Sequence, residues 1–235
     1  MSTTHGTAGK TTWEMAQKRY VKVTIYAGIL FLIAIVWFLN FNFIIKLGLP
    51  AVVIFGVVIK LVTDRIEKQG LFIKKRAKDA VRGARAEEVI AEKLTNLPDE
   101  YHVFNDIAFD RFNIDHVVVG PGGIFLVETK SHKGNITAKD ETLLLDGKQP
   151  SKSFLNQTWS QTFQLRDYLK KHTSRDWKVK PILCFTRAFV SVREPVKGIA
   201  VVNGKYLATY LSRQRQSLST EELQLITRIL QSRQV

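Results

Sequence analysis

The sequence predicts an α/β fold in which helices flank a mixed β-sheet, and three observations support this prediction. Two apolar, β-branched segments surround the Gly-Pro-Gly-Gly turn at residues 120–123, which is typical of a β-hairpin. Apolar residues recur at helical spacing in residues 85–97, before the hairpin, and a second helix is predicted at 153–171, after it. Short apolar segments at 181–185 and 198–202 are typical of buried strands. The order α-β-β-β-α-β, with additions, favours a sandwich of helices and one mixed sheet.

The N-terminal third of the chain has a different composition. Residues 1–80 carry 12 Lys/Arg and 4 Asp/Glu, whereas residues 81–235 carry 23 and 17, within a net charge of +14. Residues 23–45 carry no charge, and a helix of that length can cross a bilayer core of about 30 Å. The run is also too long for the apolar region of a secretory signal. We therefore predict a membrane segment and a lipid bilayer as one partner.

The apolar runs predict a transmembrane helical hairpin, with spans near residues 21–40 and 43–62 and a turn at 40–42. In the second span, Lys46 and Lys60 would extend their ammonium groups toward the lipid surface. Basic residues flank both outer ends of the hairpin and the turn has none, so the positive-inside rule places both ends in the cytoplasm. The alternative is one span followed by an interfacial helix. The predicted location is the cell membrane, multi-pass, with the following domain facing the cytoplasm.

The predicted domain organisation follows from these changes in composition. Residues 1–17 are expected to form a flexible tail, 18–63 the transmembrane hairpin, 64–82 a charged helical linker and 83–235 one domain. Cys184 is the one cysteine of the chain. This excludes an intrachain disulfide framework or a thiolate zinc site, and is consistent with a reducing compartment.

Local signals define the elements of the domain. Glu87, Ile90 and Leu94 share one face of the first helix, which Pro98 ends. A capping box signature at Ser219 predicts a last helix over 220–233. The remaining predicted elements are strands at 101–107, 135–137 and 142–145, and a strand or helical turn at 206–211.

The hairpin brings two carboxylates toward each other. Counting outward from the turn pairs Val117 with Leu126 and places Asp115 opposite Glu128. Lys130 shares the face of Glu128, because side chains alternate along a strand. Two carboxylates that face each other at directly paired positions of neighbouring strands repel each other. A divalent metal ion and the Lys130 ammonium would supply the compensating positive charge.

Two acids and a lysine in this arrangement are typical of phosphodiester hydrolysis. That reaction requires a hard cation held by carboxylate oxygens, an activated water and a positive group near the developing negative charge. The alternative is a solvated charged face, but Val117 and Leu126 make the same face apolar. Glu87 also lies on an apolar face, where an unpaired carboxylate is costly. Its alternative role is a glutamate favoured by the helix dipole.

Polar residues of the second helix form a further candidate group. Gln157, Gln161 and Gln164 share one face, and their amides could orient a water or bind a phosphate. The alternative is a solvated helix face. His116 follows Asp115 on the opposite face of the strand and is interpreted as a packing residue rather than a metal ligand.

These motifs resemble the nuclease-related domain, a family similar to a branch of the PD-(D/E)xK nuclease superfamily. The matching residues are Gly83-x-x-Ala86-Glu87-x-x-Ile90-x-x-x-Leu94, the segments 113–121 and 123–130, and Gly134-x-Ile136. The resemblance implies a restriction-endonuclease-like mixed sheet with flanking helices. It also implies Mg²⁺ or Mn²⁺ as the cofactor. The implied partner is nucleic acid, with DNA preferred over RNA, although the residues do not distinguish the two.

By the same resemblance, each candidate residue acquires a role. Asp115 and Glu128 correspond to the metal-binding acids, Lys130 to the catalytic lysine and Glu87 to the acid carried by a helix. A family glutamine corresponds to Gln157, with Gln161 as the alternative. The implied function is a membrane-anchored, metal-dependent nuclease. The alternatives are a non-catalytic module that binds nucleic acid or protein on the same scaffold, and a structural protein with an internal salt bridge to Lys130.

Overall fold

The computed structural model describes residues 1–46, 48–109 and 112–234 of the chain. They divide into two compact units, Met1–Thr11 with Arg82–Val235 and Thr12–Val81. The elements in chain order are β1 (Thr3–His5), α1 (Lys10–Lys46), α2 (Leu49–Leu94), β2 (His102–Ala108), β3 (Asn113–Gly120), β4 (Gly123–Lys139), β5 (Thr142–Leu145), α3 (Phe154–Thr173), β6 (Val179–Val190), β7 (Ala200–Asn203), α4 (Leu207–Ser212) and α5 (Thr220–Gln231).

The unit Thr12–Val81 contains most of α1 and the first part of α2. The predicted turn at 40–42 is wrong: α1 continues to Lys46, and the Asn40 amide donates to the backbone carbonyl four residues before it. The break comes at Gly48, which has a φ of 88° that glycine adopts readily. The Arg19 guanidinium donates to the Arg76 carbonyl at 2.9 Å. Because a short connection joins the two helices, this contact means that they run antiparallel.

The predicted second span, 43–62, does not match the helices. Its first residues belong to α1, and Leu47 lies outside the described residues. The apolar start of α2 is interrupted by the charged residue Lys60, and a second charged residue, Asp64, follows four positions later. Among the described helices, α1 is the one that is long and apolar enough to cross a membrane. This length and composition fit a membrane span or a signal anchor.

The N-terminal residues are more ordered than the predicted flexible tail over 1–17. Thr3–His5 forms β1, which pairs parallel with β2, and Thr3 is the partner of His102. The His5 ring stacks on Phe104 with ring centroids 4.6 Å apart. The composition of the tail gave no sign of this strand, because its three residues have no apolar alternation.

The other unit is built on one mixed sheet. The strand order is β1-β2-β3-β4-β6-β7, and β5 pairs with β4 outside this path. β4 lies antiparallel to β3 and parallel to β6. One face of the sheet packs on the end of α2 and on α4, with Ile90, Phe125 and Leu207 in one cluster. The other packs on α3 and α5, where Leu165 and Ile226 contact the sheet. The predicted mixed α/β fold with flanking helices is confirmed.

The register of the central hairpin agrees with the prediction. Val117 is the partner of Leu126, and Gly120 is the partner of Gly123, so the connection has two residues. The backbone pairing ends at His116 and Val127. Asp115 therefore lies one position beyond the last paired residues.

The later elements follow the predicted order with small shifts. Ser153 caps α3, and its hydroxyl accepts a hydrogen bond from the Asn156 backbone N–H. Ser219 and Glu222 form the predicted capping box of α5. The segment left open at 206–211 is a helix, α4. A third apolar cluster lies between α3 and β6 and includes Phe154 and Leu183.

Candidate active site

The site is centred on two residues of β4 that share one face. The Lys130 ammonium donates to Glu128 Oε1 at 2.5 Å. Only 3 % of the Glu128 side chain and 13 % of the Lys130 side chain is exposed. Desolvation makes a lone charge costly in such a place, and the close opposite charge offsets that cost. The two side chains are therefore held as a pair at the edge of the core.

The helix α3 adds Gln157 to this pair. Its amide nitrogen donates to Glu128 Oε1 at 2.7 Å, and its amide oxygen accepts from Lys130 Nζ at 3.0 Å. The three side chains thus form a closed ring of hydrogen bonds between β4 and α3. Gln157 lies in the first turns of α3, which Ser153 caps, so the helix start fixes its position.

Asp115 approaches the same place from β3. Its Oδ2 accepts the Thr129 backbone N–H at 2.7 Å. Burial raises the pKa of the Asp115 carboxyl well above its ordinary value, and the negative charges of Glu128 and Glu87 raise this pKa further. The Lys130 charge and the Thr129 N–H lower the pKa of Asp115 less strongly. The four charged groups therefore interact electrostatically, as neighbouring groups of one site.

A break in strand alternation precedes Asp115. On β2, Phe104 and Ile107 belong to one core cluster although they are three positions apart, and Ile114 and Val117 repeat this on β3. Asp106 lies between the first two with a φ of 51°, a left-handed conformation that side chains rarely adopt. Simple alternation of faces therefore does not extend through this part of the hairpin.

Glu87 lies in α2 on the face that packs against the sheet. It is 7 % exposed, and Ile90 and Leu94 of the same face are fully buried. Glu92, by contrast, is exposed. The helix thus directs one glutamate of this segment inward, as its spacing predicted, and the charge of that glutamate reaches Asp115.

A buried carboxylate oxygen of the site lacks a hydrogen-bond partner among the described residues. Glu128 Oε2 is buried and accepts no hydrogen bond among the described residues, although a buried carboxylate oxygen ordinarily does. Magnesium is often held by one or two carboxylates, with water and substrate phosphates completing its shell. Asp115 and Glu128 fit that requirement. No group of three or more His, Cys, Asp or Glu with metal-binding geometry occurs in the described parts of the chain.

Two aromatic neighbours of the site were not predicted from the sequence. The Lys130 ammonium lies 5.3 Å from the centroid of the Phe154 ring. The His132 ring lies 4.9 Å from the same ring, between centroids. A pairing irregularity between Lys130 and Lys133 places His132 beside the site. A bulge of this kind leaves little trace in a sequence.

The structure separates the glutamines of α3. Gln161 is buried, and its amide donates to the Asn113 backbone carbonyl at 3.1 Å. Gln164 lines a different cavity, beside Tyr168. Gln157 is the glutamine that contacts Glu128 and Lys130. His116 is fully buried and bonds to Asn105, which agrees with its interpretation as a packing residue.

The family follows from this region of the chain. Residues 82–186, a little under half of the sequence, match the family described as nuclease-related domain. This segment is similar to the members of that family. The matched range of the domain contains Glu87, Asp115, Glu128, Lys130 and Gln157. Searches of curated proteins and of solved structures found no match.

The nuclease-related domain indicates a nuclease-like function and nucleic acid as the general class of partner. Its fold positions the candidate residues on four elements, with Glu87 on α2, Asp115 on β3, Glu128 and Lys130 on β4, and Gln157 on α3. The roles of the individual residues stay predictions that rest on the resemblance and on the contacts described above.

Proposed function

We propose that the nuclease-related domain hydrolyses phosphodiester bonds of nucleic acid with Mg²⁺ or Mn²⁺, and that α1 anchors it to a membrane. The observation that carries the proposal is the juxtaposition of Glu128, Lys130 and Asp115. Glu128 Oε2 is a buried acceptor with no partner among the described residues, and burial, followed by the negative charges of Glu128 and Glu87, raises the pKa of the Asp115 carboxyl. Both features are expected of a site that receives a cation.

Asp115 and Glu128 would hold the metal ion, with the Thr129 carbonyl as an additional ligand. A bound divalent ion would activate a water and neutralise charge on the phosphate. Glu87 would hold a second ion or order a water beside Asp115. Its burial on the inward face of α2, and the effect of its charge on Asp115, support this role.

Lys130 is the residue that would act on the reacting atoms. Its ammonium has two acceptors, Glu128 and Gln157, so its position is defined before substrate binds. It would orient the attacking water and stabilise the negative charge that develops on the phosphate oxygens. Gln157 would keep the lysine and Glu128 at this separation, and would bind a phosphate oxygen when its own hydrogen bonds rearrange.

The membrane part of the proposal rests on α1. This helix is long and apolar enough to span a bilayer, and large apolar side chains such as Phe31, Phe38 and Leu39 are exposed on it. Apolar side chains of the first turns of α2, including Ile54, are exposed as well. We propose that the antiparallel helices enter the membrane together. The basic residues before α1 becomes apolar and after Lys60 would then remain in the cytoplasm.

The test is cleavage of labelled DNA and RNA by the purified full-length chain in detergent. We expect products with Mg²⁺ or Mn²⁺, none in EDTA, and none from Glu128→Gln. Glu92→Ala, which removes an exposed glutamate from α2, is the control and should cleave normally. If the protein binds nucleic acid but does not cleave it with either ion, the domain is a binding module and the proposal of hydrolysis fails.

A further inference from the structure

A cavity of about 670 Å³ lies beside α3, on the flank of that helix opposite Gln157. Aromatic and basic side chains line it together with the start of β6. Trp159, Phe163 and Arg166 come from α3, Lys178 directly precedes β6, and Lys180 lies at the start of that strand. Proteins that bind single-stranded nucleic acid combine aromatic rings and basic side chains in this way.

The aromatic part of the cavity is a stacked pair of rings with one exposed member. The Phe163 and Trp159 rings stack with centroids 5.2 Å apart and an interplanar angle of 23°. Trp159 is held by its indole N–H, which donates to the Lys197 carbonyl at 2.9 Å. Phe163 is nevertheless 50 % exposed. One face of a fixed aromatic pair is thus available to a flat ligand.

The charges of the cavity favour an anion. Arg166 and Asp176 form an ion pair at 3.0 Å and largely offset each other. Lys178 and Lys180 have no acidic partner among the described contacts, and Lys180 Nζ donates instead to the Gly122 carbonyl. Burial lowers the pKa of Lys180, and the positive charge of Lys178 lowers it further. An anionic group between these lysines would relieve their repulsion.

We infer that this cavity binds an unpaired segment of the substrate, with a base on Phe163 and a backbone phosphate near Lys178, so that the enzyme acts on single-stranded nucleic acid. The inference rests on the proposed function. It favours a single strand because bases in a duplex are stacked and cannot offer a face to Phe163. Phe163 follows Gln157 by six residues on α3, about 9 Å along the helix axis. Because the two places lie on opposite flanks of α3, a strand of several nucleotides that passes around the helix would be needed to reach both.

The experiment measures binding of full-length protein in detergent, in EDTA, to a labelled oligothymidylate of about 12 nucleotides and to a duplex of equal length. Phe163→Ala should raise the single-strand Kd by about 5- to 100-fold and leave duplex binding unchanged. Lys178→Ala should reduce the salt dependence of single-strand binding by about 0.7 in the log–log slope. Phe189→Ala is the matched control, because Phe189 is 72 % exposed and does not line this cavity.

Three outcomes would overturn the inference: no binding of the single strand, an equal effect of Phe163→Ala on single strand and duplex, or an equal effect of Phe189→Ala. The absence of metal separates this test from the test of hydrolysis. If Phe163→Ala binds and cleaves normally, the single-strand site fails and the nuclease stands. If binding depends on Phe163 but no variant cleaves, the binding site stands and hydrolysis fails.

Discussion

The backbone N–H of Thr129 donates to the Asp115 carboxylate at 2.7 Å, one position beyond the last backbone pair of β3 and β4. A side chain therefore replaces a backbone acceptor at the end of the hairpin. This contact fixes one oxygen of Asp115 beside the strand that carries Glu128 and Lys130. The position of the acid thus depends on the backbone pairing of the hairpin.

Glu128→Gln should remove metal-linked stability without removing the shape of the side chain. Mg²⁺ at about 100 times its Kd should stabilise the unaltered protein by about 2.7 kcal/mol, and should not stabilise the variant. Thermal melts in EDTA and in Mg²⁺ measure both. A purely structural Glu128–Lys130 pair gives a different result: the variant loses about 3–5 kcal/mol, and Mg²⁺ shifts neither melt.

Lys130→Ala should lower kcat by at least about 10²-fold, since a preorganised charge at the reacting phosphate is lost. Stabilisation by Mg²⁺ should persist, because the carboxylates remain. The measurements are single-turnover cleavage and melts with and without metal. Lys133→Ala provides the matched control, since Lys133 is an exposed lysine of the same strand. Equal loss of activity in both variants would show that only overall charge matters.

Gln157→Ala should mainly reduce cleavage, whereas Gln161→Ala should mainly reduce stability. Gln157 is exposed and contacts Glu128 and Lys130, so its loss should reduce cleavage by about 10-fold or more with little change in melting. Gln161 is buried and supports the Asn113 carbonyl, so its loss should cost about 1–3 kcal/mol of stability. Cleavage rates and denaturant titrations separate the two. The assignment of Gln157 fails if only Gln161→Ala affects cleavage per folded molecule.

Acid should weaken the attachment of β1. Burial lowers the pKa of His5, and the neighbouring His102 lowers it further, while burial lowers the pKa of His102. The unfolded chain then binds protons more readily than the folded one, so stability falls as the pH decreases below 6.5 toward the folded pKa values. Amide exchange in β1 should accelerate over that range. His5→Phe, which keeps a ring against Phe104, should reduce the pH dependence.

Reporter fusions test the membrane topology. Fusions at Lys10 and Gly70 should both report the cytoplasm if α1 and the start of α2 enter the membrane as a pair. Opposite sides would show that the chain crosses the membrane a single time. Cytoplasmic signals without membrane association in cell fractions would contradict the anchor itself.

The hairpin was predictable because its signals are local. Turn residues and apolar alternation defined the pairing of Val117 with Leu126, and helical spacing identified Glu87 as inward-facing. The wrong turn at 40–42 has a physical reason: Asn40 bonds within its own helix, so the helix continues. β1 and the position of His132 depend on partners distant in sequence or on a bulge. Neither β1 nor the position of His132 leaves a periodic pattern in the sequence. The left-handed backbone conformation of Asp106 likewise accompanies contacts of its carboxylate with Thr11 and Asn113.

The connection of two residues between Gly120 and Gly123 also limits how the chain length can vary. Pro121 accepts backbone hydrogen bonds from Ser217 and Leu218, and the Ser217 hydroxyl bonds to Gly122. An added or deleted residue would have to be absorbed by the strands themselves. A shift of one residue exchanges the two faces of a strand. The Asp115 side chain would then no longer lie near Glu128. Length variation compatible with this site is therefore expected elsewhere, for example around Gly147, where nothing beyond its chain neighbours lies within 4 Å of an added Cβ atom.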